Sequence, residues 1–192
     1  GIKYAEIEEL DPITQLPLVA GTKITLDTAE SAELEPVVSE GGEEIKRNDS
    51  RILAVVRTED LLYGYDITFT DNTFDAQIMA LIEGGTLIMD EIETTKVIGY
   101  DTAMISEGAT MKPFRMTLYV ANYEGDSIKN YVKIALNNCS GKAPTMSLGK
   151  EFYAPEFTIK AREATKASLP IRNITYVTKL PAYCSISHTQ VN

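Results

Sequence analysis

Between Leu61 and Thr70 the chain alternates strictly. Leu61, Tyr63, Tyr65, Ile67 and Phe69 fall on one side, and Leu62, Gly64, Asp66, Thr68 and Thr70 on the other. A period of two marks a half-buried β-strand. The period then changes. Asp71 and Asn72 offer side-chain oxygens to free helical N–H groups. Phe74, Ile78, Leu81 and Ile82 follow at i, i+4, i+7 and i+8, one apolar stripe along about three turns. The spacing predicts a helix over 72–83, closed by the left-handed conformation that Gly84-Gly85 supplies.

Elsewhere the pattern is almost entirely that of strands. Thr22, Ile24 and Leu26 form a short alternating run, and RILAVVRT (51–58) leads through Glu59-Asp60 into the strand above, as a hairpin over 51–70. TTKVIGYD (94–101) is a further candidate. PFRMTLYVANY (113–123) and SIKNYVKIALNN (127–138), joined by Glu124-Gly125-Asp126, read as the clearest hairpin in the chain. FYAPEFTIKARE (152–163) and IRNITYVTKLP (171–181) complete the set, with Pro155 implying an edge or a bulge. No internal repeat or linker divides the chain. It reads as one domain over 1–192: mainly β, an antiparallel β-sandwich or barrel-like fold with one flanking α-helix.

The segment 27–50, DTAESAELEPVVSEGGEEIKRNDS, breaks the pattern with eight acids, two bases, Pro36 and Gly41-Gly42. Such a composition buries little apolar surface and reads as a long acidic loop, with room for a short docking strand at Val37, Val38 and Ile45. The termini read as flexible arms. GIKYAEIEELDP at the start is acidic, unlike a secretion signal. No apolar run approaches the ~20 residues that cross a bilayer, so no membrane insertion is expected. Cys139 and Cys184 allow one disulfide but read rather as two free buried thiols, as in a chain made in reducing cytoplasm.

Charge is unevenly distributed within the net −10. Residues 1–125 carry 24 acids against 9 bases, while residues 126–192 carry 4 against 9. A domain built from such halves can present two unlike ends.

No reactive constellation emerges. The single histidine, His188, stands near the C-terminus beside Ser187 and Thr189, which gives neither a triad nor a zinc site. Helix capping accounts for Asp71 and Asp75, and solvation for Asp90, Glu91 and Glu93. Gly84-Gly85 lacks the Lys-Ser/Thr ending of a phosphate loop. Lys129, Tyr131 and Lys133 share a strand face, but a net charge of −10 opposes tight binding to DNA. The reading is of a structural or binding protein without catalysis or cofactor.

The run GYDITFTDNTFDAQIMALIEGG, with the acidic Gly-containing segment before it and long strands after it, resembles the major tail tube proteins of long-tailed bacteriophages. The likeness is to the group found in phages and prophages of Gram-positive bacteria. That resemblance implies a virion protein, assembled in the bacterial cytoplasm, forming hexameric rings that stack into a tube through which DNA passes without specific binding. Its partners would be further copies of itself and other tail proteins: tape measure, tail terminator and distal tail protein. An early loop in that family reaches neighbouring subunits, and here Glu33, Glu35, Glu40, Gly41, Gly42, Glu43 and Glu44 would carry it. Asp60, Asp66, Thr68 and Thr70 are candidates for the lumen, and Lys160, Arg162 and Lys166 for ring stacking on acidic surfaces.

The dimensions agree with a conduit. Four strands from each of six subunits, about 4.8 Å apart and tilted roughly 40°, close at about 45–50 Å across. Side chains then leave a bore of about 35–40 Å for a duplex on the order of 20 Å wide, and acidic walls would keep phosphates from sticking. Two other readings stand beside this one. The first is a β-sandwich module binding carbohydrate or protein, disfavoured by the absence of Trp. The second is another tail part of related fold, such as a terminator or baseplate protein.

Overall fold

The alternating and helical stripes both appear in the computed structural model, but not always with the expected boundaries or partners. The described residues are 1–41, 43–48, 51–57, 59–72, 75–106, 112–146, 148–149 and 155–182, with backbone alone for 43–48 and 51–57. In chain order the strands are β1 (Ile2–Glu9), β2 (Lys23–Leu26), β3 (Ala29–Ser39), β4 (Glu43–Asn48), β5 (Arg51–Arg57) and β6 (Leu61–Asp71). After the helix α1 (Ala76–Glu83) come β7 (Thr86–Met89), β8 (Val97–Asp101), β9 (Phe114–Glu124), β10 (Ser127–Gly141), β11 (Glu156–Arg162) and β12 (Arg172–Val177). The fold is mainly β and antiparallel, with one flanking α-helix.

Eight strands form one sheet in the order β2-β1-β9-β10-β11-β6-β3, with β12 also on β10. The 15-residue β10 organises it. One edge pairs with β9. The other edge is shared, with β12 along Tyr131–Leu136 and β11 along Asn138–Gly141. The β9 register slips between Leu136 and Cys139, where the second neighbour changes. Such a bulge bends a strand and increases its twist. The sheet thereby folds over itself and brings β1 against β3. Ala5, Ile7, Met116 and Leu118 from one half meet Ile67, Phe69, Phe157 and Ile159 from the other in a single buried cluster.

The helix closes this core, as the stripe requires. Ile78, Leu81 and Ile82 are buried, while Phe74 lies outside the described residues. Gly141 faces Ile82, and a Cβ there would sit 2.6 Å from Cγ2 of that isoleucine, so glycine lets the helix lie this close. Gly84 ends α1 at φ 74°, its N–H donating to the Ala80 carbonyl. The start differs from expectation. Asp75, not Asp71 or Asn72, is the N-cap, its Oδ1 accepting from Gln77 N at 2.8 Å and Ile78 N at 3.3 Å. Asp71 is buried at the end of β6 and accepts from Thr28 Oγ1 at 2.7 Å. Its carboxylate therefore fastens the start of β3 instead.

Three further expectations are corrected. The first is the acidic loop, most of which is strand. In β3, Ala32 and Leu34 are half-buried while Glu33 and Glu35 are exposed. Its acids occupy the solvent side of an edge strand, where charge costs little, and Pro36 is tolerated at such an edge. The second concerns 51–70, which is no hairpin: β5 pairs with β4, and β6 lies between β3 and β11. The third is the N-terminus, which is no free arm. It forms β1, an inner strand between β2 and β9 with Ala5 and Ile7 in the core. Cys139 is a buried thiol, pushed up to about 12 by burial; Cys184 and His188 lie outside the described residues.

On the other side of β1 the structure buries a charge. Glu6 is only 7% exposed, and Lys23 Nζ stands 3.7 Å from it and 3.1 Å from Glu8. Burial raises the Glu6 carboxyl above its ordinary 4.5; Lys23 opposes that shift and Glu8 adds to it. An acid with a raised folded pKa stabilises the fold fully below its unfolded value. That contribution is lost as pH rises through the folded value. Glu6→Gln should accordingly raise the melting temperature at pH 7 and change it little at pH 4, as differential scanning calorimetry would show. For the helix face, Ile78→Asp would bury an unpaired charge and should destabilise the domain by at least about 3 kcal/mol in urea unfolding.

Candidate assembly surface

The pairing of β3 with β6 runs from Ala29↔Asp71 to Ser39↔Leu61. β4 and β5 follow in the chain as a separate ladder, from Glu43↔Arg57 to Asn48↔Arg51, with a register shift between Lys46 and Arg47. Among the described residues of 29–71 the two ladders, β3–β6 and then β4–β5, form a strand-rich ribbon in two parts. Gly41 N donates to Asp60 Oδ1 at 2.6 Å where the two ladders meet. The inner half is supported by β11, whose pairing with β6 reaches only Ala161↔Tyr65. Beyond that pair, no third strand flanks the ribbon among the described residues. The unflanked part comprises Val37–Ser39 opposite Leu61–Gly64, and the β4–β5 ladder. Val38, Leu61, Leu62 and Tyr63 are exposed on its stem. A two-stranded ribbon is marginal in water by itself, so such a projection gains stability from a surface to rest on.

Where β11 flanks the ribbon, register sets three rows on the outer face. Glu35, Asp66 and Lys160 form one row; Glu33, Thr68 and Thr158 the next; Ser31, Thr70 and Glu156 the third. Residues paired across neighbouring strands share a face. Arg162 reaches over the adjoining position, with Nη1 donating to the Ala161 carbonyl at 2.8 Å and Nη2 3.6 Å from Asp66 Oδ1. Its guanidinium also lies 5.5 Å from the centre of the Tyr63 ring. Gly64 makes this possible, because a Cβ there would collide with the Ala161 carbonyl and Arg162 Nη1. Arg162 thus pins the ribbon where it leaves the sheet.

The structure regroups the sequence candidates. Glu33 and Glu35, assigned to a loop, stand beside Asp66, Thr68 and Thr70, assigned to the lumen, and beside Lys160 and Arg162, assigned to stacking. Asp60, Glu40 and Gly41 lie at the joint of the ribbon, Glu43 and Glu44 begin β4, and Gly42 lies outside the described residues. Lys166 is set apart in a 3-10 turn (Thr165–Ala167), its N–H donating to Gln15 Oε1 at 2.9 Å. Sequence reasoning missed the role of Gly64, although a glycine inside an alternating strand signals a close approach. Among the described residues no group of three or more His, Cys, Asp or Glu could hold a metal ion, and no helix is long and apolar enough to cross a membrane.

The chain matches no known family model and no curated protein. Among solved structures it is similar to the tube-terminating cap of the anti-feeding prophage, at 10% identity and TM-score 0.43, covering 92% of this chain and 89% of that one. It is also similar to a chain of the PVC sheath–tube complex, an extracellular contractile injection system in the extended state. There the identity is 11% and the TM-score 0.45, covering 92% of this chain and 91% of that one.

The Arg162 clasp makes unequal demands on its parts. Gly64→Ala forces backbone and guanidinium apart and should destabilise the domain by about 1–3 kcal/mol. Asp66→Asn removes a partly exposed ion pair and should cost at most about 1 kcal/mol. Urea unfolding of both variants checks the order.

Proposed function

We propose that the protein is a structural subunit of a phage-type tail tube, assembling with copies of itself into hexameric rings that stack around a DNA channel. The observation that carries this reading is the pair of ladders within 29–71, β3–β6 and β4–β5, of which the part beyond Tyr65 has no third strand beside it among the described residues. It supplies what the resemblance implies, an early segment reaching a neighbour. It does so as a pre-formed ribbon, which loses less entropy on docking than a loose loop would.

The outer face of β3, β6 and β11 fits the wall of such a channel. It carries Glu33, Glu35, Asp66 and Glu156 against Lys160 and Arg162, and Arg162 is already engaged with Asp66. The face is net acidic and rich in threonine. Phosphates passing within a Debye length of about 8–10 Å would be repelled weakly and find no unengaged arginine. A lining of this kind permits passage without retention. No catalytic chemistry is assigned to the chain.

Ribbon and assembly can be separated by experiment. Replacing residues 43–57 by a two-residue turn removes paired positions from both strands, since Glu43 faces Arg57. The shortened chain should unfold like the parent but form no rings or tubes by negative-stain microscopy and sedimentation. Normal tubes from it would refute the role given to the ribbon.

A further inference from the structure

Two groups of exposed large apolar residues lie at opposite ends of the strands. The connection between β1 and β2, residues 10–22, leaves the end where β9 begins, because Glu9 pairs with Phe114. It exposes Ile13, Leu16, Leu18 and Val19, with Ile13 at 76% and Val19 wholly bare. At the opposite end, toward the Gly125 turn and the start of β6, Leu61, Tyr63, Ile174 and Tyr176 are exposed, Tyr176 at 69%.

The 10–22 connection is not slack chain. Asp11 Oδ1 accepts from Ile13 N at 2.7 Å and Thr14 N at 3.3 Å, and Asp11 N donates to the Leu16 carbonyl at 2.9 Å. Leu18 N donates to the Glu9 carbonyl at 2.9 Å, and Thr22 N to Glu9 Oε2 at 3.0 Å. Gln15 holds a left-handed φ of 58°, a conformation that costs a non-glycine residue energy, and its amide oxygen anchors Lys166 N. A connection locked this firmly keeps four aliphatic side chains in water.

We propose that this connection is an apolar plug that seats on the opposite end of a second copy of this chain, against the stem residues Leu61 and Tyr63 and against Ile174 and Tyr176 of β12. The inference rests on the tube reading and names its stacking contact. Identical units joined head to tail need two different, mutually fitting ends, and the apolar ends supply them. The four side chains on each end form the apolar centre of such a contact, with polar neighbours at the rim completing the ~800 Å² per partner of a stable one. Pre-organisation of the loop keeps the ordering cost of binding low. The basic residues expected to stack are otherwise placed: Lys160 and Arg162 lie within the β11 face and Arg162 is paired inside its own subunit.

A heterologous contact has a diagnostic mixing behaviour. Val19→Asp spoils one end and Tyr176→Asp the other, and both sites are exposed, so calorimetry should show parental melting for each. Each variant alone should form unstacked rings, with the concentration needed for stacking raised on the order of tenfold or more. Mixed one to one after separate ring formation, they retain one good pair of ends and should give paired rings that grow no further. Stacking of Val19→Asp alone at the parental concentration, or a mixture indistinguishable from its components, would overturn the plug while leaving the tube reading intact. A parent chain that stays monomeric at all concentrations would overturn both.

Discussion

Strand β10 can hydrogen-bond along only two edges, yet three strands use them. β9 takes one edge, while β11 and β12 divide the other on either side of the slip between Leu136 and Cys139. Backbone groups must find partners as the core is formed. Sharing the edge meets that requirement and turns a flat sheet into a folded one. The bend aims Phe69 and Phe157 at Met116 and Leu118. It also places the end of β10 under the helix, where Gly141 receives Ile82.

A second constraint governs what leaves the sheet. The support that β11 gives to β6 stops near Tyr65, and the ribbon continues with β3 alone. Arg162 stands at that boundary and ties three things together: the end of β11, the bare backbone at Gly64 and the carboxylate of Asp66. The energetic weight lies in the backbone approach and in the desolvated stem of the arginine. Exposed ion pairs contribute little by themselves.

Sequence patterning was informative wherever one face of an element is buried and the other wet. The stripe of α1 is of that kind, and the β9–β10 hairpin also stands where alternation placed it, although Met116 to Tyr119 are buried on both faces. It failed where charge lies on the solvent side of a real strand. Counted as composition, AESAELEPVVS is acidic and disordered; taken in phase, Ala32 and Leu34 point inward and the glutamates outward. The N-terminal strand was hidden because Glu6 and Glu8 share a face with Tyr4, and a buried glutamate contradicts the usual reading of polarity. Strand partners were legible only where a turn was, as between β9 and β10. Nothing within 51–70 reveals that β5 prefers β4 to β6, because the residues of β4 lie upstream of that run.

The register from Ser31↔Thr70 to Val37↔Gly64, free of any shift, restricts how this chain can change length over evolution. An insertion of one residue in either strand would turn every side chain beyond it to the other face, exchanging the glutamate rows for the apolar side. Two residues added to each strand at facing positions would preserve both faces and lengthen the projection by about 6.6 Å. Viable descendants of this subunit should therefore differ in reach by discrete, paired steps, leaving the bent sheet beneath unaltered.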